Sequence, residues 1–166
     1  RPDGTCRNIG APELAGPGAA IDANIIPAEG PREVCPGLHL TGPVPMTTDY
    51  EDTGGAFFTD AACAEPDNLV DDQAAFIERP EGTLVVLGCA HSGVVNTLRY
   101  VQTLTNERRI HTVIGGMHLL HAKPHRIRET IGAFQELGVK KLLPCHCTGF
   151  EASARMWNAF PKACRP

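Results

Sequence analysis

Apolar positions follow one texture up to about residue 83 and another beyond it. Over residues 84–160, short apolar runs alternate with stretches whose apolar residues recur every three or four positions. The run Leu84–Leu87 leads into Gly88-Cys89-Ala90-His91-Ser92-Gly93, and Val94, Leu98 and Val101 then mark one face of a helix. His111–Ile114 leads into Gly115-Gly116-Met117-His118, and Ile127, Ile131, Phe134 and Leu137 form the stripe of a second helix. Pro124 suits the first turn of that helix, and Gly138 suits the position just past its end. Lys141–Leu143 leads into Pro144-Cys145-His146-Cys147. A third helix is predicted there, with Ala152, Met156 and Phe160 buried and Thr148-x-x-Glu151 as its capping box. Ahead of these units, "QAAFIERPEGTLVVLGC" (73–89) predicts a β-hairpin. Its strands are Ala74–Ile77 and Thr83–Leu87, and it turns at Arg79-Pro80-Glu81-Gly82.

The earlier residues carry most of the fourteen prolines and little periodicity. Within them, "EVCPGLHLTGPVP" (33–45) predicts a short strand ended by Gly42-Pro43. Residues 1–72 therefore read as a loop-rich connecting segment with short strands, and residues 73–166 as an α/β domain.

Strands joined by right-handed helical crossovers lie parallel, with their C-terminal ends at one edge. That brings His91, His118 and His146 to the same edge, where α/β sheets form their sites. Imidazole is the commonest ligand for zinc, iron and related metals. Three such groups could hold a metal, leave a position open and lower the pKa of water there to ~7. Gly88, Gly115, Gly116 and Gly149 permit sharp turns and close approach of a ligand. The loops open onto helix N-termini, which favour an anion such as phosphate. Ser92 and Thr148 stand at helix starts as caps, and with Gly115 and Gly116 they are the candidates for touching substrate. His121 and His125 fit a solvated face, and His39 and His111 fit structural places inside strands.

The string Cys145-His146-Cys147 invites a reading as a metal clip. Zinc sites usually space paired ligands two to four residues apart. On an extended strand, adjacent side chains also point to opposite faces, so His146 is expected to face away from both cysteines. A redox pair Cys145–Cys147 lacks the C-x-x-C spacing. A thiol-based redox protein using Cys89, Cys145 or Cys147 stays open as a separate class.

Charge and composition narrow the classes. The formal charge of −4 and 5% aromatic content argue against nucleic-acid binding. No run is long and apolar enough to span a membrane. The start, RPDGTCRNIG, shows no signal peptide. The seven cysteines, Cys6, Cys35, Cys63, Cys89, Cys145, Cys147 and Cys164, read as reduced thiols of a cytoplasmic protein.

Four ordered motifs carry a family resemblance. They are "PGLHLTGPVP" (36–45), "LGCAHSGVVNTL" (87–98), "VIGGMHLL" (113–120) and "LLPCHCTGFEA" (142–152), with Val70-Asp71-Asp72-Gln73 ahead of the last three. Together they resemble the dihydropterin–ribofuranosylaminobenzene phosphate synthase-like branch of the metallo-β-lactamase superfamily, and the C-terminal half of it only. The resemblance implies part of an αββα sandwich, here a mixed sheet with covering helices, and a centre of one or two divalent metals. Zinc is expected, with manganese or iron as alternatives. His146 and His91 take ligand positions, and His118 takes a place at the reacting group. Asp71 and Asp72 are candidates for supporting the ligands. The implied function is a metal-dependent hydrolase or transferase of a small anionic or phosphorylated metabolite. The superfamily's H-x-H-x-D-H motif is absent from the sequence. The chain alone is therefore expected to be inactive without a complementary N-terminal half or second chain. The alternative is a non-catalytic half-domain that docks on a partner.

Overall fold

The computed structural model describes residues 7–10 and 26–165. These fall into two compact units. In the smaller, drawn from residues 1–27 and 56–68, the Asp60 carboxylate accepts the backbone N–H groups of Ala62, Ala64 and Glu65. Those bonds hold the Asp60 pKa below its ordinary value. Cys63 of this unit is disulfide-bonded, which corrects the expectation of reduced thiols throughout. The strand-and-helix argument for free thiols reached only Cys89, Cys145, Cys147 and Cys164, and those four, with Cys35, are free. Cys6 lies outside the described residues.

Residues 28–55 and 69–166 make the larger unit, which carries every strand and helix named below. One sheet runs in the order β1 (Arg32–Cys35), β2 (Leu38–Leu40), β3 (Ala74–Ile77), β4 (Thr83–Leu87), β5 (Ile110–Gly116), β6 (Lys141–Cys145). The first four pair antiparallel, and β4, β5 and β6 pair parallel. The β3–β4 hairpin has the strands read from the sequence. The single strand expected over 33–45 is instead a hairpin. Pro36-Gly37 breaks it, and Gly37 takes a φ of 82° that only glycine adopts readily.

The helices α1 (Val94–Leu104), α2 (Pro124–Glu136) and α3 (Phe150–Ala159) follow β4, β5 and β6 in turn. The stripe predicted on α1, Val94, Leu98 and Val101, is buried throughout. On α2 Ile127 and Phe134 are buried while Ile131 and Leu137 are half-buried, and on α3 Ala152 and Met156 are buried while Phe160, just past its end, is half-buried. The buried side chains form one cluster with Val85, Leu87, Val113 and Leu142 from the sheet. Burying such residues contributes roughly 1.5–3 kcal/mol each, so the sheet–helix interface fixes the strand ends firmly. The end of α2 shows the local code clearly. Gly138 takes a left-handed φ of 65°, the N–H of Val139 donates to the Phe134 carbonyl, and that of Gly138 to Gln135. This is the paired capping that a glycine at that place supports.

Candidate active site

The parallel register sets Gly116 beside Cys145 and Val86 beside Ile114, so the three strand-to-helix loops leave one edge of the sheet together. In each loop a non-glycine residue is held at positive φ: Ala90 at 54°, His118 at 47° and His146 at 49°. Such conformations cost of order 1 kcal/mol or more each and persist where the surroundings fix them. Three of the seven non-glycine residues with positive φ among the described residues lie at this edge; Cys63, Leu69, Asn106 and Glu107 lie elsewhere.

The loops bring together two clusters. The rings of His91 and His118 lie 4.2 Å apart between centroids, tilted by 47°. His91 Nδ1 stands 3.2 Å from the Thr53 carbonyl oxygen, a contact in which the ring nitrogen is the donor. His118 Nδ1 is buried with no hydrogen-bond partner. Burial holds the His118 pKa below its ordinary value, and the charge of His91 adds to the shift.

The second cluster is Cys89, His146 and Cys147, whose Sγ and ring-nitrogen atoms all lie within 4.8 Å of one another. The expectation that His146 faces away from Cys147 fails because β6 ends at Cys145. His146–Thr148 form a 3-10 turn, in which side chains no longer alternate as they do on a strand. Burial, and then the neighbouring Cys147 thiol, push the Cys89 thiol up to about 11.

The two predicted helix caps are replaced by longer-range contacts. The Thr148 hydroxyl accepts the Met117 N–H at 3.1 Å, α3 starts at Gly149 without a side-chain cap, and Glu151 pairs with Arg155 at 2.7 Å. Ser92 does not cap α1 with its side chain, and its backbone N–H donates to Asp72 Oδ2 at 2.8 Å. The start of α1 is capped from afar by Glu51, whose carboxylate oxygens accept the N–H groups of Val95 and Asn96 at 2.9 and 2.8 Å. Desolvation raises the Glu51 pKa above its ordinary value, against those hydrogen bonds and the charge of Arg126. Sequence reasoning missed Glu51 because nothing local marks it. Its partners are 44 and 45 residues away.

A cavity of about 830 Å³ lies beside the clusters, lined by His118 and Cys147 together with Asp52, His121, Lys123 and Arg126 among others. The side chain of Arg126 is 6% exposed and donates to Asp52 Oδ1 at 2.7 Å. His121 and His125 also line this cavity, beyond the solvated role expected of them. Gly115, Gly116, Ser92 and Thr148 are all buried, and none lines it. His39 stacks on Phe76 at 5.0 Å, and His111 Nδ1 is 2.8 Å from the Thr112 hydroxyl, inside their strands.

No known protein-family profile matches the chain. It is 31% identical over 134 residues to a 7,8-dihydropterin-6-methyl-4-(beta-D-ribofuranosyl)-aminobenzene-5'-phosphate synthase of Methanocaldococcus jannaschii, which covers 78% of this chain and 46% of that protein. An uncharacterized protein of the same organism is 26% identical over 128 residues, covering 77% and 46%. Among solved structures, a metal-dependent hydrolase of the β-lactamase superfamily superposes with a TM-score of 0.72 at 32% identity, covering 81% of this chain and 52% of that one. The chain spans about half the length of these relatives.

Proposed function

Starting from the metallo-β-lactamase-superfamily fold of this chain, we propose that the protein is a metal-dependent hydrolase or transferase acting on a small anionic or phosphorylated metabolite. The observation that supports it is the meeting of His91, His118, His146, Cys89 and Cys147 at one sheet edge, beside a cavity that holds Lys123 and Arg126. The donors present fit a divalent metal. They are imidazoles and half-buried thiols, and the donor atoms of Cys89, His146 and Cys147 lie within 4.8 Å of one another.

In this reading His91 and His146 hold the metal, with zinc as the resident ion. When bound, the metal supplies a Lewis acid that polarises an acyl or phosphoryl oxygen and makes water more acidic. His91 is oriented for ligation by the bond from its Nδ1–H to the Thr53 carbonyl, the usual support of a ligating imidazole. His118 lines the cavity and orients the substrate at its reacting group. Lys123 brings a cation to the cavity for the substrate's anion, beside the carboxylates of Asp49 and Asp52, and His121 and His125 line it with ring nitrogens.

The sequence holds no H-x-H-x-D-H motif, so the 166-residue stretch by itself is expected to turn over phosphodiester substrates weakly or not at all. A complementary half, on the same or a second chain, is expected to restore activity. The reading keeps the protein in the cytoplasm on the strength of its free cysteines, while the disulfide at Cys63 argues for an oxidising compartment. Titration of free thiols in protein taken directly from cells decides between them. Among the described residues, no helix is long and apolar enough to cross a membrane.

Metal analysis tests the proposal most directly. About one metal per chain, lost on His146→Ala, together with turnover of bis(p-nitrophenyl) phosphate once the complementary half is supplied, is the expected result. A chain that takes up no metal and binds a partner tightly instead would establish the docking half-domain.

A further inference from the structure

We infer that Cys89, Cys147 and His146 form a thiolate–imidazole site for a zinc-class metal, with both sulfurs as direct ligands. The inference rests on the metal-dependent reading above and names ligands that reading does not need.

Three donor atoms lie within 4.8 Å of one another. Ligands at tetrahedral zinc bond lengths stand about 3.5–3.8 Å apart, so the side chains need only about 1 Å of closure. Two thiolates and one imidazole are a known zinc ligand set that leaves a fourth position, which the reading above gives to His91. Sulfur ligands select zinc over magnesium, calcium or manganese, which prefer oxygen.

The backbone makes room for this cluster. Cys89 follows β4, and His146 and Cys147 follow β6, so β5 lies between them. The strand residue at the crossing is Gly116. A Cβ there would stand 2.7 Å from Cys147 Sγ, 2.6 Å from the Gly88 carbonyl oxygen and 3.3 Å from Cys89 Cα. The absence of a side chain at Gly116 is what allows the two cysteines to approach across β5. His146 also accepts a left-handed φ of 49°, placing its ring on the same side as Cys147 rather than opposite it.

The sulfurs are held by weak partners: Cys147 Sγ donates to the Cys89 carbonyl at 3.5 Å, the two thiols contact each other, and neither is in a disulfide. They are half-buried beside an exposed imidazole, which suits a site sealed on its protein side and open on the other. Cys145, next in sequence to His146, is exposed and outside the cluster, so it provides an internal control.

The reduced full chain is titrated with Co²⁺ and then Zn²⁺, following absorption. One equivalent of Co²⁺ should give a near-ultraviolet sulfur-to-cobalt charge-transfer band with intense visible bands of a tetrahedral site, and Zn²⁺ should abolish both. Cys89→Ser and Cys147→Ser should each weaken the band and lower zinc affinity at least about tenfold. Cys145→Ser should change neither. Stoichiometric cobalt without a sulfur band, a band unmoved by Cys89→Ser and Cys147→Ser, or a reduced chain that oxidises to a Cys89–Cys147 disulfide without taking up metal would each overturn the inference. Phosphodiester turnover is measured separately. A sulfur band without turnover in the complemented protein supports the ligand set and removes the hydrolase reading. Turnover with bound metal but no sulfur band does the reverse.

Discussion

One wall of the candidate site is made by the loops after β4, β5 and β6, the other by residues 47–55, and the two are held by different means. The loops are extensions of packed strands, and each is followed by a helix whose apolar stripe packs into the core. Residues 47–55 have no strand or helix of their own. Apart from Tyr50, which packs against the core cluster, they are held by single polar contacts to distant residues. The N–H groups of Thr47 and Thr48 donate to Asn96 Oδ1, both at 2.9 Å. Glu51 caps α1, Asp52 pairs with Arg126, the Thr53 carbonyl meets His91, and Gly54 backs onto His118. A wall of the first kind is set by burial summed over many residues. A wall of the second kind depends on a few hydrogen bonds, each of which can be removed by one substitution.

The largest effect is expected at Glu51. Glu51→Ala leaves two buried N–H donors without an acceptor, at about 1–3 kcal/mol each, so a loss of about 3 kcal/mol is expected in urea unfolding. A loss below about 1 kcal/mol, the level of an exposed cap, would show that residues 47–55 do not depend on this contact. Gly54→Ala comes next. Gly54 has a φ of 78°, and a Cβ there would run into the His118 ring. Strain and overpacking together should cost about 2 kcal/mol and move the His118 ring resonances. An unperturbed His118 spectrum would place Gly54 elsewhere.

On the loop wall, Thr148→Val keeps shape and removes the acceptor of the Met117 N–H, with an expected cost of about 1.5 kcal/mol. A loss greater than that of Glu51→Ala would reverse the ranking of the two walls.

A pH series separates the Glu51 charge from its shape. Glu51 binds its proton more tightly in the folded chain than in the unfolded one, because burial raises its pKa. Protonation therefore favours folding. Its contribution is complete below the ordinary value of 4.5 and is given up as the pH rises through the raised folded value. Glu51→Gln should flatten the fall in melting temperature above that pH, and an equally steep fall would assign the pH dependence to other groups. The smallest effect is expected at Asp52. Its side chain is 76% exposed, so Asp52→Asn should cost under about 1 kcal/mol despite the 2.7 Å contact to Arg126. Both melting temperature and midpoint should stay close to those of the unsubstituted chain.

The same contrast explains what could be read from the sequence. The three strand–helix units, the hairpin at 74–87 and the Gly138 cap were legible because each is written in neighbouring residues as period, turn and cap. The placing of His91, His118 and His146 at one edge followed from the parallel topology alone. Cys147 was misplaced because the strand pleat was extended two residues past its end at Cys145. The hairpin at Pro36-Gly37 was lost because its strands have four and three residues, too short to show alternation. Glu51 and Asp52 gave no signal at all. A carboxylate in a Gly- and Thr-rich stretch reads as a solvated turn, and only the fold brings the start of α1 to it.

The Glu51 cap also sets an order of events during synthesis. Glu51 leaves the ribosome 44 residues before Val95. At about 5–20 residues per second, it waits about 2–9 s for its partner to be made. Through that interval residues 47–55, TTDYEDTGG, are exposed with three carboxylates and one aromatic ring. A segment of that composition stays hydrated and resists premature association with other nascent chains. It can therefore wait unfolded until α1 presents the two amides that dock it.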